Sequence, residues 1–154
     1  MDQLLVLQTD KRLARQRIKE LEEEIRSMGP EFQAALTQTS ETWHDNAPFD
    51  ALRERQAVLA TELGTLHETL HGARLSLPKQ PKDKVGVGSI VRTDQQSYFV
   101  AGDWSMRVGR RIEGAIVISR RSPLAQAMIG KRVGDKFNLG PKRLTVTEIK
   151  HKEP

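Results

Sequence analysis

Apolar residues in the first quarter of the chain recur at alternating spacings of three and four: Leu4, Leu7, Ala14, Ile18, Leu21, Ile25, Met28, Phe32 and Ala35, with Lys11 the one polar interruption. That spacing predicts a helix with a coiled-coil seam. Charged residues fill the positions between, as in KELEEEIR over 19–26, and face water. Thr9-Asp10 offers a cap for the helix proper, with residues 1–8 leading into it, and Gly29-Pro30 predicts a kink because proline removes a backbone donor and crowds the preceding turn. A second seam follows at Leu52, Gln56, Leu59, Leu63, Leu66, Leu70 and Ala73. Asp45 or Asn46 can cap its start, and Pro48 suits a first helical turn. Joined by a short tip near residues 41–46, the two seams predict an antiparallel two-helix coiled coil. Arms of about 28 residues at ~1.5 Å per residue give a hairpin roughly 40 Å long.

The periodicity changes after SLPKQPKDKVG, residues 76–86, whose mixture of Pro, Lys and Gly reads as a linker. SIVRT, SYFVAG, AIVIS, KFNLG and RLTVTEIK then show the alternation or β-branched runs of strands. One helical segment, PLAQAMIGK over 123–131, interrupts them and ends at Gly130. The expectation is an α+β protein in two parts: a helical hairpin over residues 1–78 and a β-rich domain with one short helix over 79–154.

Charge sharpens this division. Residues 1–78 carry nine Lys/Arg against thirteen Asp/Glu, a net −4, whereas residues 79–154 carry sixteen against seven, a net +9. An acidic rod and a basic domain predict a polyanionic or acidic partner for the latter, with solubility charge the plainer explanation. The absence of cysteine from all 154 residues excludes disulfides, thiolate catalysis and a zinc finger or ribbon. The early apolar run Leu4 to Leu7 is too short for a signal peptide or a membrane span, so a cytoplasmic protein without membrane contact is expected.

Candidate chemistry gathers at the hairpin tip. SETWHDNAPFD, residues 40–50, holds Glu41, Trp43, His44, Asp45 and Asp50 where a plain turn would suffice. Acids in such a turn commonly cap helices or solubilise, but a tryptophan at the end of a rod has little of its own protein to cover it and suits an interface. In the basic domain, Arg107, Arg110, Arg111, Arg120 and Arg121 form a sequence cluster that could contact nucleic-acid phosphates, or could be ordinary surface arginines. His67 and His71 stand four residues apart on the second helix without an evident third metal ligand. The glycines in VGVGS and MRVGRR lack a phosphate-loop pattern, and no Ser/His/Asp set is recognisable.

This arrangement resembles the Gre family of bacterial transcript-cleavage factors, GreA and GreB. The resemblance spans nearly the whole chain and is most specific at Ser122-Pro123-Leu124-Ala125, Ile129-Gly130-Lys131 and Gly134-Asp135. Pro30-Glu31-Phe32, Asp45-Asn46-Ala47 and Arg53-Glu54 also resemble segments of the family's hairpin. It implies an FKBP-like domain from about residue 84, without prolyl isomerase activity, that docks on the rim of the RNA polymerase secondary channel through Ser122, Pro123 and Leu124. It also implies that the hairpin enters the channel. There Asp45, with Glu41 as the partner acid, would share Mg²⁺ with the polymerase active site and promote hydrolysis of backtracked RNA, with Thr42, Trp43, His44 and Asn46 as tip contacts. The factor would be an accessory rather than an enzyme in its own right. The family's cleaving members place a second acid three residues before the one matched by Asp45; here that position is Thr42. Two other readings therefore stand beside cleavage: a regulator of the same channel that does not cleave, and a coiled-coil adaptor whose basic domain binds RNA or protein.

Overall fold

In a computed structural model the described residues are 3–41, 47–74 and 81–153, and they divide into two compact units, one of residues 12–71 and one combining residues 1–11 with 72–154. This division differs from the 1–78 and 79–154 boundary expected from the periodicity. Strand β1 (Leu4–Leu5) lies parallel to β2 (Ala73–Arg74), with Leu4 N–H donating to the Gly72 carbonyl at 3.2 Å and Val6 N–H to that of Arg74 at 3.0 Å. Leu5 and Leu7 are fully buried in the core of the β-rich unit. Leu4 and Leu7 therefore match the heptad spacing but belong to a strand segment that completes the other unit, and Ala73 likewise lies beyond the helix it was expected to extend.

The helical unit consists of α1 (Gln8–Glu41), which begins in the other unit, and α2 (Ala47–His71). Helix α1 is unbroken through Pro30. Ile18, Leu21, Met28 and Ala35 of α1 and Leu59 and Leu66 of α2 are buried, while Gln56 is exposed. Cross-helix contacts prove the antiparallel sense, because partners fall in number on α2 as they rise on α1. Arg17 forks onto Glu62 at 2.8 and 2.9 Å, Glu24 accepts from Arg55 at 2.6 Å, and Phe32 packs edge-on against Phe49 at 5.6 Å. Pro48 sits in the first turn of α2, where its missing N–H leaves nothing unpaired.

The β-rich unit contains β3 (Ser89–Thr93), β4 (Ser97–Ala101), β5 (Arg111–Ile112), β6 (Ala115–Ser119), α3 (Pro123–Met128), β7 (Lys136–Leu139) and β8 (Lys142–His151). The strands form one sheet in the order β5-β6-β4-β3-β8-β7, antiparallel except for the β4–β6 pair. Ten residues long, β8 pairs with β3 through its second half and with β7 through its first. Phe99, Val91, Val117, Met128, Leu144 and Val146 centre the core. The α+β class and the single short helix agree with the pattern; β1, β2 and β5 do not appear in it, since two residues carry no period. No helix among the described residues is long and apolar enough to cross a membrane.

Candidate functional site

Glu41 is the last residue of α1, and Thr42, Trp43, His44, Asp45 and Asn46 lie outside the described residues. Helix α1 ends at Glu41 and α2 begins at Ala47. Asp50, in the first turn of α2, is exposed and lies where a carboxylate opposes the helix dipole favourably.

The second candidate surface is the corner between β6 and α3. Ser122 caps α3: its Oγ accepts from Ala125 N–H at 3.2 Å and donates to the Ser119 carbonyl at 2.7 Å. Pro123 follows at the first helical position and is exposed, while Leu124 is half-buried against the core. Each polar residue around the corner has a fixed bond. Ser119 Oγ receives Arg121 N–H at 3.1 Å, and Gln126 Nε2 donates to the Arg120 carbonyl at 2.6 Å.

One carboxylate anchors this corner. The Asp103 side chain is 1% exposed. Its Oδ1 accepts from Arg120 Nε at 2.5 Å and Arg121 Nε at 2.9 Å, and its Oδ2 from Arg120 Nη2 at 2.9 Å and Leu5 N–H at 2.7 Å. These four bonds fill the carboxylate's acceptor sites. Burial alone would raise the Asp103 pKa, but the Arg120 fork, the Leu5 amide and Arg121 together outweigh it and hold the carboxyl below its ordinary value. Gly102 makes the approach of β1 possible, because a Cβ there would come within 2.2 Å of the Leu5 carbonyl oxygen.

A second buried network corrects the assignment of Arg107 to a nucleic-acid surface. Its guanidinium forks onto Asp10 at 2.7 and 3.0 Å and onto Glu153 at 3.0 and 3.3 Å, and lies 5.2 Å from the centroid of the Phe99 ring. Asp10, expected as a helix cap, is completely buried and also accepts from Ser105 Oγ at 2.7 Å. Burial pushes the Arg107 pKa down, but the hydrogen bonds it donates to both carboxylates raise it overall, so this arginine stays charged and occupied by protein. The five arginines thus occupy different settings. Arg107 is internal, Arg120 and Arg121 share Asp103, and Arg110 and Arg111 are exposed near β5, with Arg111 Nη1 bonded to the Gly114 carbonyl at 3.1 Å.

Neither Asp10 nor Asp103 stands out as a site in the sequence, because no local motif encloses it. For Asp103 the one signal is statistical, since seven acids stand among sixteen cations after residue 78; for Asp10, in the acidic half of the chain, there is none.

Residues 80–151 match the family described as transcription elongation factor GreA/GreB, C-terminal domain. The transcription elongation factor GreA of Streptococcus pyogenes serotype M5 is 31% identical over 102 residues, covering 62% of this chain and 61% of that protein. GreA of Chlorobaculum parvum is 33% identical over 100 residues, 62% of each, and GreA of Rickettsia canadensis 28% identical over 119 residues, 70% of each. The chain accordingly spans 61% and 62% of the length of the first two relatives. The crystal structure of GreA factor homolog 1 of Thermus thermophilus superposes with a TM-score of 0.43 at 20% identity, covering 97% of this chain and 99% of that one.

Proposed function

Because residues 80–151 match the GreA/GreB C-terminal domain family and GreA proteins are 31% and 33% identical over about 100 residues, we propose that the chain is a transcription elongation factor of the GreA/GreB family that binds RNA polymerase. In this reading the β-rich domain docks on the rim of the secondary channel through Ser122, Pro123 and Leu124, and the hairpin tip enters the channel to stimulate hydrolysis of backtracked RNA. The observation that carries the proposal is the joining of that matched domain to an antiparallel helical hairpin whose second arm alone has 25 residues, about 37 Å at ~1.5 Å per residue. A hairpin of that length separates its tip from its base by about the same distance.

At the tip, Asp45 and Glu41 offer carboxylate oxygens, the donor type that Mg²⁺ prefers, and the donor set fits an ion shared with the polymerase rather than one held by this chain alone. Bound there, Mg²⁺ would supply Lewis-acid polarisation of the phosphodiester. Asp45 would accept a hydrogen bond from the attacking water and orient it, with Glu41 adding negative charge beside it. The hydrolysis belongs to the combined site, which makes this protein an accessory factor acting in the cytoplasm where transcription occurs.

Thr42 favours a second reading. It stands three residues before Asp45, where the resemblance places the first acid of a cleaving pair, so a factor that occupies the channel through Trp43 and His44 without cleaving is the alternative. The two separate in a stalled, backtracked elongation complex under matched Mg²⁺. Short 3′ RNA fragments with wild type, lost in Asp45→Asn and reduced in Glu41→Gln, support cleavage. Binding and slowed synthesis without fragments support the non-cleaving regulator, and failure to bind polymerase overturns both.

A further inference from the structure

From the geometry around Asp103 we infer that Arg121 is an acid-recognising contact of the β6–α3 corner, presenting a fixed guanidinium to a carboxylate on the protein partner that docks there. The inference rests on the polymerase-docking reading of Ser122, Pro123 and Leu124 and specifies the chemistry of that surface.

Charge balance is the first ground. Two guanidinium groups share one carboxylate and, among the described residues, neither pairs with a second acid, so the cluster retains one surplus positive charge. The surplus resides mainly on Arg121. Arg120 commits both Nε and Nη2 to Asp103, and its side chain is 30% exposed; Arg121 commits only Nε and is 56% exposed. The terminal nitrogens of Arg121 carry no hydrogen bond among the described residues and remain available as a two-pronged donor suited to a carboxylate.

Preorganisation is the second ground. A surface arginine ordinarily loses several rotamers when it binds, which weakens the contact it makes. Here the Nε bond, the Arg121 N–H to Ser119 Oγ bond and the Ser122 cap hold the side chain's base and its middle before any partner arrives. Immediately beside it stand exposed Pro123 and half-buried Leu124, an apolar border of the kind that partly desolvates an interfacial arginine and makes it count.

A carboxylate fits better than a nucleic-acid backbone. Phosphate tracking requires several unpaired cations in a row, whereas this corner offers one surplus charge next to apolar surface, and Arg107 is withdrawn into the interior.

The test is the equilibrium affinity of the full chain for core RNA polymerase of the organism that encodes it, at two salt concentrations, with a single-stranded RNA 20-mer as the control probe. Arg121→Ala should weaken polymerase binding about tenfold and flatten its salt dependence, and Arg121→Glu should weaken it on the order of a hundredfold by repulsion. Arg121→Lys, which keeps the charge but loses the Nε anchor, should recover only part of the affinity. The melting temperatures of Arg121→Ala and Arg121→Lys should stay close to wild type, since Arg120 and Leu5 still bond Asp103; a merely structural role would move the melting temperature and leave the salt dependence unaltered. Unchanged polymerase affinity in Arg121→Ala with wild type binding normally overturns the inference. Loss of RNA 20-mer binding with polymerase affinity intact overturns it in favour of a nucleic-acid contact. If wild type itself does not bind polymerase, the docking reading falls first and this inference with it.

Discussion

Arg107 and Asp103 show how much a single side chain decides in a unit this small. Asp10 has no solvent exposure and depends on Arg107 and Ser105 for every polar contact of its carboxylate that links it to the β-rich core. Removing one member of a buried pair leaves the other charge stranded, and typically costs about 3–5 kcal/mol. Arg107→Met should therefore lower the unfolding free energy of the β-rich unit by that order in urea titrations, and the double variant Asp10→Asn, Arg107→Met should recover part of the loss. Asp103 makes a prediction in pH. Its carboxyl titrates below the ordinary value in the folded protein, so the stabilisation it provides is complete above about pH 4, the unfolded value, and disappears as pH falls through the lower folded value. Thermal melts from neutral pH downward should show Asp103→Asn less stable than wild type at pH 7 and with a shallower decline below about pH 4. A parallel decline in both proteins would assign the acid sensitivity elsewhere.

Among the elements, the hairpin separates the work of apolar and charged side chains. Leu21 is fully buried, whereas the Arg17–Glu62 fork leaves its partners 32% and 42% exposed. Glu62 is held below its ordinary pKa chiefly by the Arg17 hydrogen bonds, but water screens a pair so open. Leu21→Ala is expected to cost about 2–5 kcal/mol and Glu62→Ala less than ~1 kcal/mol, read from the helical circular-dichroism melt of the full chain. Comparable losses in the two variants would mean that the ion pair, rather than the seam, specifies the register. Periodicity identified both helices because a buried stripe must recur every three to four residues. It identified neither the two-residue strands nor the true start of α1, and it admitted Leu4 and Leu7 to the seam, because spacing records that a residue is apolar and not which core receives it.

At the scale of the molecule, the β-rich unit is assembled from both ends of the chain. Leu5 and Leu7 lie within its core, Asp103 N–H donates to the Leu5 carbonyl at 2.7 Å, and Asp10 pairs with Arg107. Burying each leucine is worth roughly 1.5–3 kcal/mol. A fragment of residues 79–154, the domain as drawn from the change in pattern, should accordingly show faster amide hydrogen exchange in β3 and β4 than the full chain does. Adding a peptide of residues 3–11 should restore part of the protection, and equal exchange in fragment and full chain would show that the amino-terminal segment is dispensable.

What the sequence alone determined is whatever repeats or is locally encoded. The heptad stripes dictated two helices, alternation dictated the five longer strands, Ser122-Pro123 encoded the start of α3, and the Ser-Pro, Gly-Lys and Gly-Asp steps carried the resemblance to the Gre family. Only the tertiary structure decided that Arg107 is internal, that Asp103 gathers Arg120, Arg121 and Leu5 at one carboxylate, and that the first strand serves the last domain. These contacts join residues 17 to 98 positions apart. No local propensity acts over such distances; the pairing follows from which charges lose water together when the core closes, and that becomes defined only once the chain has folded.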